Sequence, residues 1–131
     1  MLEKNHPDML SSMRSLASII LFQGKYEAAE QIIRQALEGG EKALGKKHPD
    51  TLTSVSGLAR VLYNQGKYKA AEEMIQRVLE GREEALGEHP NTLTSVSDLA
   101  IILRAQGKYK ATEEMSLRVL ESTEKVLGKA Q

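Results

Sequence analysis

Gln65-Gly66-Lys67-Tyr68 is one of three copies of the same four residues in this chain. The others are residues 23–26 and 106–109, at intervals of 42 and 41 residues. A run of periodic apolar residues that begins with His-Pro precedes each copy, and a longer run that ends in Leu-Gly follows it. A glycine just past a helix end adopts a left-handed conformation without a Cβ penalty, so the chain can reverse there. Each copy is therefore predicted to be the turn of a helix-turn-helix pair.

Self-similarity at a fixed period of this size predicts a solenoid, in which each unit gains a core only by stacking on its neighbours. We predict an all-α fold: an α-solenoid of three stacked helix-turn-helix repeats, with six antiparallel helices. In the first repeat, helix A is expected near Asp8 to Gln23 and helix B near Tyr26 to Leu44. The chain is interpreted as one repeat domain (1–131), divided into the tail of a preceding repeat (1–5), repeat 1 (6–47), repeat 2 (48–88) and repeat 3 (89–131).

The composition narrows the classes of function. Hydrophobic residues make up 40% of the 131 residues and charged residues 27%, which is typical of a globular protein. The sequence contains no cysteine, so disulfides, thiolate nucleophiles and cysteine-bound zinc are excluded, and a reducing, cytoplasmic location is expected. The 18 basic and 18 acidic residues balance, with no basic stripe for nucleic acid. No apolar run is long enough for a membrane span.

Histidines and paired glutamates are the residues that could suggest a metal site or an active site. His6, His48 and His89 occur once per repeat in the same His-Pro step, and stacked helices lie about 8–10 Å apart, too far for three such side chains to share one ion. They are interpreted as helix-start residues, with proline in the first turn. Pairs such as Glu72-Glu73 point about 100° apart on a helix. We expect no metal, no cofactor and no enzymatic activity.

Several positions of the repeats match a known family. Leu58-Ala59, then Leu62, then residues 65–68, then Ala71, Ile75 and Val78 resemble the signature of the tetratricopeptide repeat. The period exceeds the common ~34 residues, and with the His-Pro opening and Leu-Gly closing it is similar to the kinesin light chain subclass, as found in fungal nucleotide-binding signalling proteins. The resemblance implies a right-handed superhelix that binds a protein or peptide in a concave groove. Where kinesin light chain repeats carry asparagine before Leu-Ala, this chain has Ser56-Gly57 and Ser97-Asp98.

The groove would be formed by the face of each helix A that points away from the core. The candidate partner-binding residues are Arg14, Ser18, Leu21 and Phe22 in repeat 1, Thr53, Ser56, Arg60, Tyr63 and Asn64 in repeat 2, and Ser97, Ile101 and Arg104 in repeat 3. Exposed aromatic and arginine side chains on one surface are typical of binding anchors. Two alternatives stay open: the residues face solvent without a ligand, or the chain is a structural, self-assembling segment of a larger sensor protein.

The two ends of the array are expected to be complementary. Ile19 at one end, and Met115, Val119 and Val126 at the other, would lack a covering repeat, so we predict weak end-to-end association of the protein with itself. Thr112 and Ser116 replace apolar residues of the earlier repeats and would weaken the packing of the last helix. This helix is expected to be the least stable of the six.

Overall fold

The computed structural model of the protein describes residues 6–130, and the side chains of residues 6–128. This part of the chain forms six α-helices and no strand, which confirms the predicted fold class. Each helix packs on the next helix along the chain. This holds within a pair and also between the second helix of one pair and the first helix of the next. Their bounds are α1 Pro7–Phe22, α2 Tyr26–Leu44, α3 Pro49–Asn64, α4 Tyr68–Leu86, α5 Pro90–Ala105 and α6 Tyr109–Ala130.

A His-Pro step begins the first helix of each pair. The Nδ1 atom of His48 accepts a hydrogen bond from the backbone N–H of Asp50 at 3.1 Å, and His6 and His89 do the same in their repeats. Proline follows in the first turn, where a missing N–H costs nothing. The histidines are therefore helix caps, which explains their single occurrence per repeat.

The Gln-Gly-Lys-Tyr segments form the turns within the pairs, as predicted. Gly66 has φ +80°, and the corresponding glycines of the other repeats have φ +82° and +79°. The N–H of Lys67 donates to the carbonyl of Leu62 at 2.9 Å, and the N–H of Gly66 donates to that of Tyr63 at 3.0 Å. This pair of bonds satisfies the last carbonyls of α3 and requires a left-handed residue, hence glycine.

The core is richest around α3, which is covered on two sides. Ala59 and Val61 are 1% and 2% exposed, although side chains two residues apart on a helix point about 160° away from each other. One side packs on α4 and the other on α2, because a helix inside a stack has two neighbours. Buried residues therefore occupy a wide arc of α3.

Two arginines each reach the same serine position of the following repeat. At the first junction Arg14 on α1 donates through Nη1 to the carbonyl of Asp50 at 3.5 Å and to Ser54 Oγ at 3.3 Å. At the second junction Arg82 on α4 donates to the carbonyl of Asn91 at 3.1 Å and to Ser95 Oγ at 2.8 Å. The acceptors hold equivalent positions in their repeats, whereas the arginines come from different helices.

A glutamate near the start of α2, and its equivalent in α4, make a further contact between repeats. Gln65 Nε2 donates to Glu30 Oε1 at 2.9 Å, and Gln106 Nε2 donates to Glu72 Oε1 at 2.8 Å. Lys108 Nζ lies 3.3 Å from the same oxygen of Glu72. The Gln-Gly-Lys segment therefore closes its own turn and also binds the preceding repeat.

Packing is loosest at α6, as the sequence predicted. In its described part no side chain is fully buried, whereas α4 buries Ala71 and Ile75. Thr112 stands at the position of Ala71, and its hydroxyl donates to the carbonyl of Lys108 at 2.9 Å. Ser116, at the position of Ile75, is exposed.

No helix in the described part of the chain has the length and apolar character needed to cross a membrane.

Candidate peptide-binding groove

Three connected cavities run along the first helices of the three pairs. Their volumes are about 330, 280 and 220 Å³. The side chain of Arg60 lines all three, and Asn64 lines two of them. A concave surface of this kind, with a few polar groups beside apolar ones, is the usual form of a binding site. We call this surface the groove.

The first and largest of these three cavities lies between α3 and α5. Its apolar wall includes Tyr63, Ile101 and Ile75, and its polar side includes Arg60 and Asp98. The ring of Tyr63 packs at 5.4 Å from the ring of Tyr68, tilted by 50°, so its orientation is fixed by the core side of the helix pair. Ile101 is 51% exposed, which leaves apolar surface available to a ligand.

Asp98 is the main charged group that we did not select from the sequence. Partial burial raises the pKa of this carboxyl, while the positive charges of Arg60 and Arg82 act in the opposite direction. The equivalent residue in repeat 2 is Gly57, where an added Cβ would lie 3.0 Å from Cδ1 of Ile33. This contact shows that the position faces the preceding repeat at the floor of the groove. The charged residue at this position in repeat 3, where repeat 2 has glycine, is the sequence feature that could have identified Asp98 as a groove residue.

The second cavity lies at the end of α1 and is lined by Phe22, Tyr26, Ser18 and Asn64. Phe22 is 95% exposed, more than any other large hydrophobic side chain of the described residues. A fully exposed phenylalanine beside a cavity gains contact area when a ligand covers it.

The third cavity is rich in hydroxyl groups. It is lined by Ser11, Ser18, Thr53 and Ser56, together with Arg14 and Arg60. Arg14 is engaged at the junction with Ser54, and the hydroxyl of Thr53 donates to the carbonyl of Pro49 at 3.0 Å.

One residue predicted for the groove is mostly buried. Leu21 is only 9% exposed and belongs to the hydrophobic core. It lies in phase with Leu10 and Ala17, the other buried residues of α1, because spacings of seven and four residues return to the same helical face. Leu21 therefore lines the second cavity with only a small part of its side chain, and it is not an exposed anchor for a ligand. In repeat 3, Arg104 is exposed and Ser97 is half-buried, and neither lines one of the three cavities.

The residues predicted for end-to-end association fall into two groups. Ile19 is 58% exposed, and Val126 is 65% exposed. Met115 and Val119 are half-buried against the core. Val126 does not lie on the inter-repeat face, because its counterpart Ala85 is exposed even though a repeat follows it.

Within residues 6–130, no three histidine, aspartate or glutamate side chains come together as metal ligands.

These observations define a helical repeat protein whose stacked helix pairs carry neighbouring cavities along their first helices. A family profile described as tetratricopeptide repeat matches residues 8–84 and 55–125. The chain belongs to the tetratricopeptide repeat family, as predicted. No curated protein matches the sequence.

Solved structures support the same assignment. The nearly identical TPR-like repeats of a kinesin light chain-like protein from Podosopora anserina match with a TM-score of 0.82 and 28% identity, over 95% of this chain and 60% of that one. BtubC (BKLC) from P. vanneervenii matches with a TM-score of 0.87 and 20% identity, over 95% and 50%. The TPR domain of Arabidopsis FLU matches with 0.76 and 19%, over 88% and 95%. The last two show the fold alone. The predicted resemblance to kinesin light chain repeats is confirmed.

Proposed function

We propose that the protein is a non-catalytic scaffold of the cytoplasm that binds a peptide segment of a partner protein in the groove. The observation that carries the proposal is the cavity between α3 and α5, where the exposed apolar surface of Ile101 and Tyr63 adjoins Arg60. An apolar anchor beside an arginine is the arrangement that dominates many protein interfaces. Tetratricopeptide repeats generally mediate protein–protein interaction, which supports the same interpretation.

Phe22 and Asn64 extend this surface toward repeat 1, so a ligand that fills the first two cavities would lie across α1, α3 and α5. A segment of several residues is required to span three helices about 8–10 Å apart. The proposed ligand is therefore a peptide in an extended or helical form, and a single small molecule would occupy only one cavity.

Selection from a displayed library of random peptides tests the proposal directly. The wild-type chain is used as bait, and the affinity of each enriched peptide is then measured for the wild type, for an Arg60→Ala, Tyr63→Ala double variant and for a Lys69→Ala control. Lys69 is an exposed lysine on α4 outside the groove. We expect the double variant to lose at least about tenfold in affinity and the control to keep it. Enrichment of no peptide, or equal affinity for the double variant, would overturn the proposal.

A second candidate function is self-association through the two ends of the array. It is favoured by the difference between Ile19, which is 58% exposed, and its counterparts Val61 and Ile102, which are 2% and 4% exposed. An apolar side chain that is buried wherever a repeat precedes it gains contacts when another copy supplies that repeat. The substitution Ile19→Lys tests this function, because it should lower self-association measured by sedimentation while the helical circular dichroism spectrum is unchanged.

A further inference from the structure

The repeats of this chain provide an internal comparison of equivalent positions with and without a neighbouring repeat. Leu58 and Leu99 are 1% and 5% exposed on α3 and α5, whereas the equivalent Leu16 on α1 is 48% exposed. With Ile19 it lies on the face of α1 that no helix covers among the described residues. The uncovered face of α1 thus has the composition of a buried inter-repeat surface.

Helix α6 shows the matching difference at the other end of the array. Leu37 and Leu79 are each 8% exposed on α2 and α4, and the equivalent Leu120 on α6 is 52% exposed. Leu120 is therefore a residue of the opposite inter-repeat face, which the sequence analysis did not select. Its position, one turn after Ser116, continues the face that α2 and α4 turn toward the next repeat.

The residues that form polar contacts between repeats have equivalents on the uncovered faces of α1 and α6. Gln65 and Gln106 each donate to a glutamate of the preceding repeat, at 2.9 and 2.8 Å. The same position on α1 is Gln23, which is exposed, and the lysine after its glycine is Lys25. Glu113 holds in α6 the position of Glu30 and Glu72, and it too is exposed. One donor pair and one acceptor thus stand at opposite ends of the six described helices.

We propose that α6 of one copy docks on α1 of a second copy in the register of the internal junctions, so that Glu113 of one copy accepts hydrogen bonds from Gln23 and Lys25 of the next. This inference rests on the proposed self-association and adds its register and its specificity-determining residues. The contact joins two different faces, so each added copy leaves one face of each kind uncovered and the assembly can extend.

The same comparison explains why the contact is weak. At the internal junctions Ile33 and Ile75 are each 2% exposed, and the equivalent Ser116 offers no such apolar group. The arginine that reaches Ser95 from α4 has no counterpart, since Thr123 stands at the position of Arg82 and Ser97 at that of Arg14. Ser12, the counterpart of Ser54 and Ser95, would meet no guanidinium group. The end-to-end junction keeps the glutamine–glutamate contact and lacks these apolar and arginine–serine contacts.

Charge-exchange variants of the chain test the register. Variant one carries Glu113→Lys, variant two carries Gln23→Glu with Lys25→Glu, and a control carries Glu114→Lys. The control makes the same change of net charge as variant one at an exposed neighbour that points about 100° away. Sedimentation equilibrium is measured from the micromolar to the millimolar range. We expect each of the first two variants to associate at least about tenfold more weakly than the control, because like charges then face each other.

Mixing the first two variants should restore association, since the introduced lysine of one variant then meets the introduced glutamates of the other, and the remaining ends keep their native pair. A gain-of-association variant, Ser116→Ile with Thr123→Arg, restores both missing contacts and is expected to bind at least about tenfold more tightly than the wild type. Circular dichroism verifies the fold of every variant.

The outcomes separate the register from self-association itself. If Ile19→Lys abolishes association while the charge-exchange variants behave like the control, the ends associate but the proposed register is wrong. If the wild type and the Ser116→Ile, Thr123→Arg variant are both monomeric at every concentration, the register and the self-association are both overturned. Failure of the mixture to recover association also contradicts the register.

Discussion

Arg82 on α4 donates from Nη1 to Oγ of Ser95 on α5 across 2.8 Å, and Ser95 is fully buried. Desolvation lowers the pKa of this arginine from its usual value, which marks it as a partly buried charge. A hydrogen bond from a charged donor contributes about 1.5–3 kcal/mol, so we expect Arg82→Ala to lower the free energy of unfolding by that amount. Chemical denaturation measures it. Lys42→Ala is the control, because Lys42 pairs only with the exposed Glu38 on its own helix.

Buried threonines at the junctions offer a stabilising substitution. Thr92 is 0% exposed, and its Oγ1 has no hydrogen-bond partner among the described residues. Valine has nearly the same shape without the hydroxyl, so we expect Thr92→Val to raise stability by about 1 kcal/mol. The thermal midpoint should rise by about 3 °C. Thr94→Val should give no gain, because the hydroxyl of Thr94 donates to the carbonyl of Pro90 at 3.0 Å. Equal effects of the two substitutions would contradict this explanation.

Acid should weaken the first junction through Glu30. Hydrogen bonds from Arg34 and then Gln65 lower the pKa of its carboxyl below the usual 4.5, so folding favours the ionised form. This contribution is fully present above pH 4.5 and is lost as the pH falls through the lower pKa of the folded state. We expect urea denaturation to show that Glu30→Gln is less stable than the wild type at neutral pH and that the difference shrinks in acid.

Glu38→Gln is the matched control for that experiment, since Glu38 is an exposed member of a pair within α2. Its stability difference from the wild type should be small at every pH. A pH dependence of Glu30→Gln that parallels the wild-type curve throughout would show that the ionised Glu30 carboxylate, with its bonds from Arg34 and Gln65, does not contribute.

Helix α6 should open more easily than α4. Its described part has no fully buried side chain, whereas α4 buries four. Amide groups exchange through local opening, whose free energy is low where few apolar contacts must be broken. Native-state hydrogen exchange should therefore show less protection for the central amides of α6 than for those of α4. Equal hydrogen-exchange protection of the amides in the two helices would contradict this prediction.

The sequence predicted the helix boundaries because each boundary has its own local chemistry. Proline at position 49 and glycine at position 66 act through their own backbone, and no information from distant residues is needed to interpret them. The start and end of helix A in repeat 1 were placed one residue late on this basis: Asp8 to Gln23 was predicted, and Pro7–Phe22 is observed.

The groove was predicted less completely, since a side chain's surroundings depend on several elements at once. Leu21 was assigned to the groove by its equivalence to Tyr63, but it shares the buried face of α1 with Leu10 and Ala17. The bond from Arg14 to Ser54 joins residues 40 positions apart, and no local pattern indicates it. Leu120 was not selected from the sequence, and its exposure in α6, compared with the burial of Leu37 and Leu79, identifies it as part of the uncovered face.

The two arginine contacts have a consequence for how such a gene can change length. Every repeat carries the accepting serine, at Ser12, Ser54 and Ser95, while the donor comes from Arg14 in repeat 1 and Arg82 in repeat 2. A duplication or deletion of either of these repeats by recombination leaves every accepting serine after the first one with an arginine in the repeat before it. A copy of repeat 3 placed ahead of another repeat would provide none. Insertions drawn from the first two repeats are thus tolerated by the junction chemistry, and those drawn from the third are not.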